Sequence, residues 1–397
     1  MSYSIKAVPV YLSSLQGDLI YTVAYPEHTS DPVTFPNFKF VADVYVGATM
    51  VARLKKVPDP VTSIGIFNIG NIVRNYIATQ FNPQAGILLA QRLGVGEFSL
   101  NVTLKFGEEY AYTLYTNLIT DSERTFFNNY NGRLTGNTSS LDNLEDHPLT
   151  TRPLNTPVRC DANFNFVPFL PSNTSEFELA IKTYDFSGNM VQDLYRYFTP
   201  ASAFQLHIFN LSKTTINNLL PGMVNDGVKY YTVSFNSPNT PEDTTLIFTQ
   251  QCECVYDRYT LHFLNKYGGF ESKDFMKVSR KTISIEKKDF GKLTYTVDSS
   301  GQVSYRNSNN VYNESRSVYA SQYKERMTLN SDFLNDQEYR WLQELVLSPM
   351  VYLEQDGFFF PVVISENNYE QRKTVNDELT NLTLSIEFGD QLNAQFR

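Results

Sequence analysis

One tryptophan, Trp341, four histidines and three cysteines are all that 397 residues hold of these types. Each scarcity excludes something. His28, His147, His207 and His262 stand far apart in sequence and away from any cysteine, so no zinc-finger or HExxH spacing exists. Cys160, Cys252 and Cys254 are too few for a disulfide framework and suit a chain folded in a reducing cytosol. Cys252 and Cys254 alternate in a strand-like run, where they read as small core hydrophobes. No window approaches 18 consecutive apolar residues, which excludes a membrane-spanning helix. The first 25 residues are interrupted by Pro9, Ser13, Ser14, Gln16, Gly17 and Asp18 and do not read as a signal peptide. Lysine and arginine number 33 against 42 aspartates and glutamates, a net charge of −9. That balance lacks the basic face needed to coat nucleic acid.

Catalytic signatures are missing too. There is no Gly-rich phosphate loop and no nucleophile elbow. "YGGFE" at 267–271 has no Lys-Ser/Thr and no following helix; Gly268-Gly269 reads as a hairpin turn. His207 and His262 lie in strand-like runs and read as hydrogen-bonded structural histidines. The acids of "LEQDG" (353–357) and "SENNYEQ" (365–371) read as surface groups in hairpin loops, although two carboxylates gathered by a fold need no sequence signature. No catalytic, cofactor-binding or metal-binding residue is therefore assigned. Six Asn-x-Ser/Thr sequons, beginning at Asn101, Asn137, Asn173, Asn210, Asn313 and Asn381, read as chance in an Asn- and Thr-rich chain.

What the chain has is phenylalanine and tyrosine, 29 and 26 of them, within 42% hydrophobic and 19% charged residues. That is the composition of a globular protein with real cores. Most of the aromatics alternate with polar residues, as they do in strands and at subunit faces. The segments "FKFVADVYV" (38–46) and "MVARLKKV" (50–57) form one hairpin around Gly47. Ile69, Ile72, Val73, Tyr76 and Ile77 then fall at helical spacing behind Asn68. Strands return in "EFSLNVTLKFG" and "EYAYTLYTNLI", with Gly107-Glu108 as the turn.

The same order restarts further on. "FELAIKTYD" (177–185) and "NMVQDLYRYF" (189–198) repeat the hairpin, and "HIFNLSKTTINNLL" (207–220) repeats "IFNIGNIVRNYI" (66–77) at an offset of 142. Offsets that drift by one or two residues at loops mark a diverged duplication. The predicted architecture is mainly β, with tandem duplicated β-sandwich domains that each carry a short helix, plus a C-terminal β-rich α+β region. Its predicted parts are residues 1–120, a polar extended arm or linker at 121–165, a second sandwich at 166–256, and a C-terminal domain at 257–397. That last domain has hairpins around Gly301 and Asp356-Gly357 and a helix near 335–347 from the "SDFLNDQEYRWLQELVLSP" pattern. It closes on a strand with Leu382, Leu384, Ile386 and Phe388 in strict alternation.

"CVYDRYTLHFLNKYGGFESKDF", "DQEYRWLQELVLSPMVYLE" and "NLTLSIEFGDQLNAQ" resemble virion structural proteins of tailed Bacteroidetes phages, the crAss-like phages especially. "GIFNIGNIVRNYI" is similar to a stretch in the same group. The resemblance touches all but the linker, and its motifs are folding motifs. It implies a non-enzymatic collar or tail ring of identical subunits below the portal, matching the portal's twelvefold symmetry and joining capsid to tail. The implied partners are sibling copies, other collar, tail or portal proteins and, transiently, translocating DNA, with no membrane; the implied location is the virion, after synthesis in the host bacterial cytoplasm. Negative charge suits a conduit from whose wall DNA is repelled. The alternative expectation is a glycan-binding or glycan-hydrolysing β-sandwich protein on a virion, fibre or bacterial surface. It would need an exposed aromatic platform beside two carboxylates roughly 5–9 Å apart.

Overall fold

The structure is a computed structural model that describes residues 3–10, 12–31, 33–84, 88–129, 146–237, 245–252, 256–365, 380–389 and 392–395. Cys254, the middle of the 121–165 segment and the acids at 366–371 lie outside the described residues. The chain is mainly β, with several sheets, short helices and a C-terminal region containing a longer helix. It forms two compact units: residues 1–253 with 262–273 and 337–349, and residues 254–261 with 274–336 and 350–397. Among the described residues no helix is long and apolar enough to cross a membrane.

The first unit begins with β1 (Ser4–Ala7), β2 (Ile20–Ala24), β3 (Lys39–Val46), β4 (Thr49–Lys56) and β5 (Ile64–Asn68). Helix α1 (Gly70–Val73) and a 3₁₀ turn at Arg74–Tyr76 follow, then β6 (Leu89–Leu93), β7 (Ser99–Tyr110), β8 (Thr113–Thr120) and β9 (Arg124–Phe127). Sheets β1-β2-β5 and β4-β3-β7-β8 close over one core of Tyr21, Phe40, Phe67, Leu104 and Phe106. Every second residue of β3 and β7 points into it, which is why the period-two runs read correctly. The helix predicted from Ile69 is a single α turn passing into 3₁₀. Ile69 and Val73 are buried while Tyr76 faces solvent, and Asn68 Oδ1 accepts from the Gly70 amide at 3.1 Å.

One turn moves. β7 runs straight through Gly107-Glu108, and the reversal falls at Ala111-Tyr112, both with positive φ (48° and 62°), as a two-residue hairpin turn demands. Gly107 instead sits where the β7–β8 register shifts between Phe106 and Glu108. A Cβ there would lie 2.1 Å from the Tyr115 carbonyl oxygen, so glycine here permits a close backbone approach at a bulge.

The second half of this unit holds β10 (His147–Pro148), β11 (Asn155–Arg159), β12 (Phe166–Leu170), β13 (Phe177–Asp185), β14 (Met190–Phe198) and β15 (Leu206–Asn210). Helix α2 (Lys213–Leu219), β16 (Val228–Asn236) and β17 (Leu246–Gln251) complete it. Strand orders β10-β12-β15 and β14-β13-β16-β17 reproduce β1-β2-β5 and β4-β3-β7-β8 strand for strand. Their shared core contains Phe169, Phe177, Phe209, Val233 and Phe248. Two additions distinguish this copy. β6, from the first half of the chain, pairs with β15 (Leu206↔Leu93), and β11 lies parallel to β17. The segment read as an arm, 121–165, thus supplies β9 to the first sandwich and β10 and β11 to the second.

Helix α2 carries Thr214 and Thr215 in its first turn, behind a well-capped start. Ser212 Oγ accepts from the Thr215 amide at 3.2 Å and donates to the Asn163 carbonyl at 2.8 Å. Ser212→Ala should cost about 1 kcal/mol of unfolding free energy, measured by urea denaturation. An unchanged midpoint would mean that the cap contributes nothing.

The remaining strands are β18 (Tyr259–Leu264), β19 (Phe270–Phe275), β20 (Arg280–Gly291), β21 (Thr296–Val297), β22 (Val303–Ser304) and β23 (Arg316–Leu334). Helix α3 (Asp336–Leu347), β24 (Val351–Gln355), β25 (Phe358–Ile364), β26 (Thr380–Phe388) and β27 (Leu392–Gln395) end the chain. Helix α3 falls where one is expected, near 335–347, and residues 331–334 before it end β23, where the Ser331 hydroxyl accepts from the Leu382 amide at 2.8 Å and anchors the strand to β26. In the second unit β24, β25, β26, β23 and β20 lie side by side, with β27 on β23.

Candidate functional site

The Gly268 turn lets the chain reverse after Asn265, whose amide donates to the Gly269 carbonyl at 2.8 Å. Gly268 has φ 87°, and a Cβ on it would lie 2.2 Å from the Asn128 carbonyl oxygen. This hairpin tip, residues 149–153 and helix α3 enclose a buried polar cluster in the first unit. Glu271 is fully buried. Its carboxylate accepts from Asn265 Nδ2 at 2.5 Å and from Trp341 Nε1. Burial pushes its pKa up to about 7, against the pull of the nearby Arg152 guanidinium and with added repulsion from Glu344.

Arg152 is held on every side. Its Nη1 donates to Asn165 Oδ1 at 3.0 Å and its Nη2 to the Ser272 carbonyl at 2.5 Å. The guanidinium lies 4.8 Å above the Trp341 ring and 5.6 Å from that of Phe248, a cation–π arrangement inside the fold. Ser272 Oγ accepts from the Phe166 amide at 2.8 Å and stands 2.8 Å from His262 Nδ1. Beside this cluster opens a groove of about 670 Å³, lined by Thr151, Arg152, Lys266, Arg340, Glu344 and Leu347 among others. Glu344 accepts from Thr151 Oγ1 at 2.5 Å and from the Lys266 amide at 3.2 Å, and pairs with Lys266 Nζ at 3.3 Å.

Chemically, the cluster is a buttress. Glu271 and Trp341 have no exposed surface, and both Glu271 oxygens receive donors from the protein. It welds three segments that are far apart in sequence. No local pattern announces this, because its members come from three stretches that each look ordinary alone; Glu271 is simply the end of "YGGFE". The one local signal is a lone tryptophan on an apolar helix face.

The other residues singled out in the sequence take structural places. His28 lies between the Tyr25 and Phe35 rings, at centroid distances of 3.9 and 3.6 Å, with Nδ1 2.8 Å from Glu108 Oε2. It latches the turn after β2 onto β7. Burial raises the pKa of Glu108, and the His28 contact opposes that shift. His207 is buried with Nδ1 2.8 Å from the Gln205 carbonyl oxygen. Desolvation lowers its pKa to about 4. His147 is paired in β10 opposite Leu170. Asp356 and Gly357, at φ 54° and 78°, form the β24–β25 turn as predicted. Among the described residues no group of three or more His, Cys, Asp or Glu is placed to hold a metal ion.

The cysteines require a correction. Cys160 and Cys252 form a disulfide with Cα atoms 5.1 Å apart, where free thiols in the core had been expected. The cause is register: β11 and β17 pair in parallel from Asn155↔Ile247 to Arg159↔Gln251, so the next residue of each strand is a cysteine facing the other.

No family model matches the chain, and no curated protein does. Among solved structures the chain is similar to the cadherin-like domains 1 to 4 of zebrafish RET, at 10% identity and a TM-score of 0.14, covering 76% of this chain and 64% of that one. At that TM-score the likeness carries no argument.

Proposed function

We propose that the chain is a non-enzymatic structural protein of a tailed-phage virion, assembling with copies of itself into a collar or tail ring below the portal and around the DNA path. The observation that carries this reading is a pair of sheet edges that no further strand covers among the described residues. β4 and β14 end the two equivalent sheets, and both leave apolar side chains in solvent, Met50 on one and Met190, Val191, Tyr195 and Tyr197 on the other. Long exposed edges of this kind invite association. Equivalent edges on tandem sandwiches are what a head-to-tail interface that closes into a ring would use. The resemblance to virion proteins of crAss-like phages supports the same place.

The test is imaging of intact particles with this chain labelled. Twelve copies around the axis beneath the portal are expected, and its absence from purified particles, or a location on fibres, would overturn the reading. A second reading, glycan hydrolysis, draws on one observation: Glu271 and Glu344 repel one another beside an open groove. It requires that Glu344→Gln, at the carboxylate that lines the groove, abolish release of reducing sugar by the purified chain. Loss of stability with no hydrolysis by either protein leaves the structural role.

A further inference from the structure

Strand β20 is the outermost strand of its sheet, with β23 on one side and no strand on the other among the described residues. All 12 of its residues are exposed. β26 and β27 line only the far edge of β23 in this ribbon, so the near edge, β20, is left in solvent, and an exposed edge with apolar side chains is a template for another chain. The β20–β23 register sorts its two faces. Ile283 lies opposite Glu325 and Ile285 opposite Tyr323, with Lys281 opposite Met327; the other face carries Arg280, Arg326, Lys324 and Lys288. Ile283 is 51% exposed and Ile285 61%.

The apolar face does not stop at the ribbon. Lys281, Tyr323 and Glu325 line a groove of about 230 Å³ together with Phe360, Pro361 and Phe388. A stripe of Ile285, Ile283, Tyr323, Phe388 and Phe360 therefore runs from the ribbon across β26 to β25. Charge is segregated as well. Residues 280–328 hold nine Lys and Arg against five Asp and Glu, a net charge of +4, while the other 348 residues hold 24 against 37, a net charge of −13. The basic cluster was legible in "RKTISIEKK" but is masked in whole-chain totals.

We infer that the Ile283–Ile285 face of this ribbon is an interface with a second copy of this chain, its apolar stripe covered there and its positive charge set against the acidic remainder of the neighbour. The inference rests on the homo-oligomeric reading above. A second copy fits better than a nucleic acid because the stripe is apolar and the ribbon interleaves Glu286, Asp289 and Glu325 with its cations, which a phosphate-tracking surface would not do.

Sedimentation equilibrium of the full chain tests it, comparing wild type with Ile283→Glu/Ile285→Glu and Lys287→Glu/Lys288→Glu. These side chains are exposed, and an unchanged circular-dichroism melt checks that the fold is kept. Wild type should self-associate more weakly as salt rises, and the isoleucine variant should weaken association at least ~30-fold. Three results would overturn the inference: association unchanged in both variants, a wild type that stays monomeric at every concentration, or ribbon-dependent binding of duplex DNA with self-association unaffected. Unchanged association with rings still seen on particles would sink the ribbon interface alone. Particles without the chain would sink the ring reading, whatever the ribbon does in solution.

Discussion

Reducing the Cys160–Cys252 bond, or replacing Cys160 with serine, should lower the unfolding free energy of the first unit by about 4 kcal/mol. The bond joins residues 92 apart, and closing a loop of that length in the unfolded chain removes entropy equivalent to roughly 4–5 kcal/mol, with measured values typically about 2–4. β11 has particular need of it. It is a five-residue edge strand held by one parallel ladder to β17, and parallel pairs are slightly weaker per residue than antiparallel ones. Its far side lacks a strand among the described residues. Urea unfolding of the oxidised protein with and without dithiothreitol measures the effect. Cys160→Ser under oxidising conditions should match reduced wild type, and a variant as stable as oxidised wild type would show that the bond does not form in solution. Wherever the surroundings are reducing the thiols stay open, so the cross-link stabilises the protein only under oxidising conditions.

That bond also shows which parts of the fold the sequence could reveal. Hairpins were legible wherever alternation was strict, as in 38–57 and 177–198, since burying one face of a strand imposes a period of two. The duplication was legible because "IFN" before each helix serves the same geometry twice. Asn68 and Asn210 each turn a side-chain oxygen to backbone amides nearby, Asn68 to Gly70 and Asn210 to Ser212. Gly107 was misplaced because a glycine that admits a neighbouring backbone and one that permits a positive φ look alike in sequence. The Cys160–Cys252 pairing and the Arg152–Glu271–Trp341 cluster were invisible for another reason. Both depend on a parallel or long-range pairing whose register is set by the whole sheet, and no local pattern encodes it. β6 was hidden likewise, its five residues reading as part of the first sandwich while their backbone completes the second.

Between pH 4.5 and 6.5 the contributions of Glu271 and His207 to the stability of the first unit should nearly cancel, and single substitutions at either should tilt the profile in opposite directions. Glu271 titrates near 7 in the folded chain against an ordinary 4.5. Over that window the folded state holds a proton that the unfolded state gives up, so stability falls as pH rises, by about 3 kcal/mol in total. His207 titrates near 4 instead of 6.5. Below 6.5 the unfolded chain takes up a proton that the buried imidazole refuses, so stability falls as pH drops, again by about 3 kcal/mol. The two slopes oppose each other where the windows overlap. Glu271→Gln keeps an oxygen acceptor for Trp341 Nε1 and removes the first slope, leaving a protein that gains stability from pH 4 to 6.5. His207→Gln leaves the other, a protein that loses stability from pH 4.5 to 7. Urea denaturation at half-unit pH steps reads all three profiles, and groups common to the three proteins cancel in the differences. Parallel profiles would mean that neither burial penalty is real. Crossed profiles would show that this core holds one group that keeps its proton and one that refuses it, their opposite slopes offsetting each other.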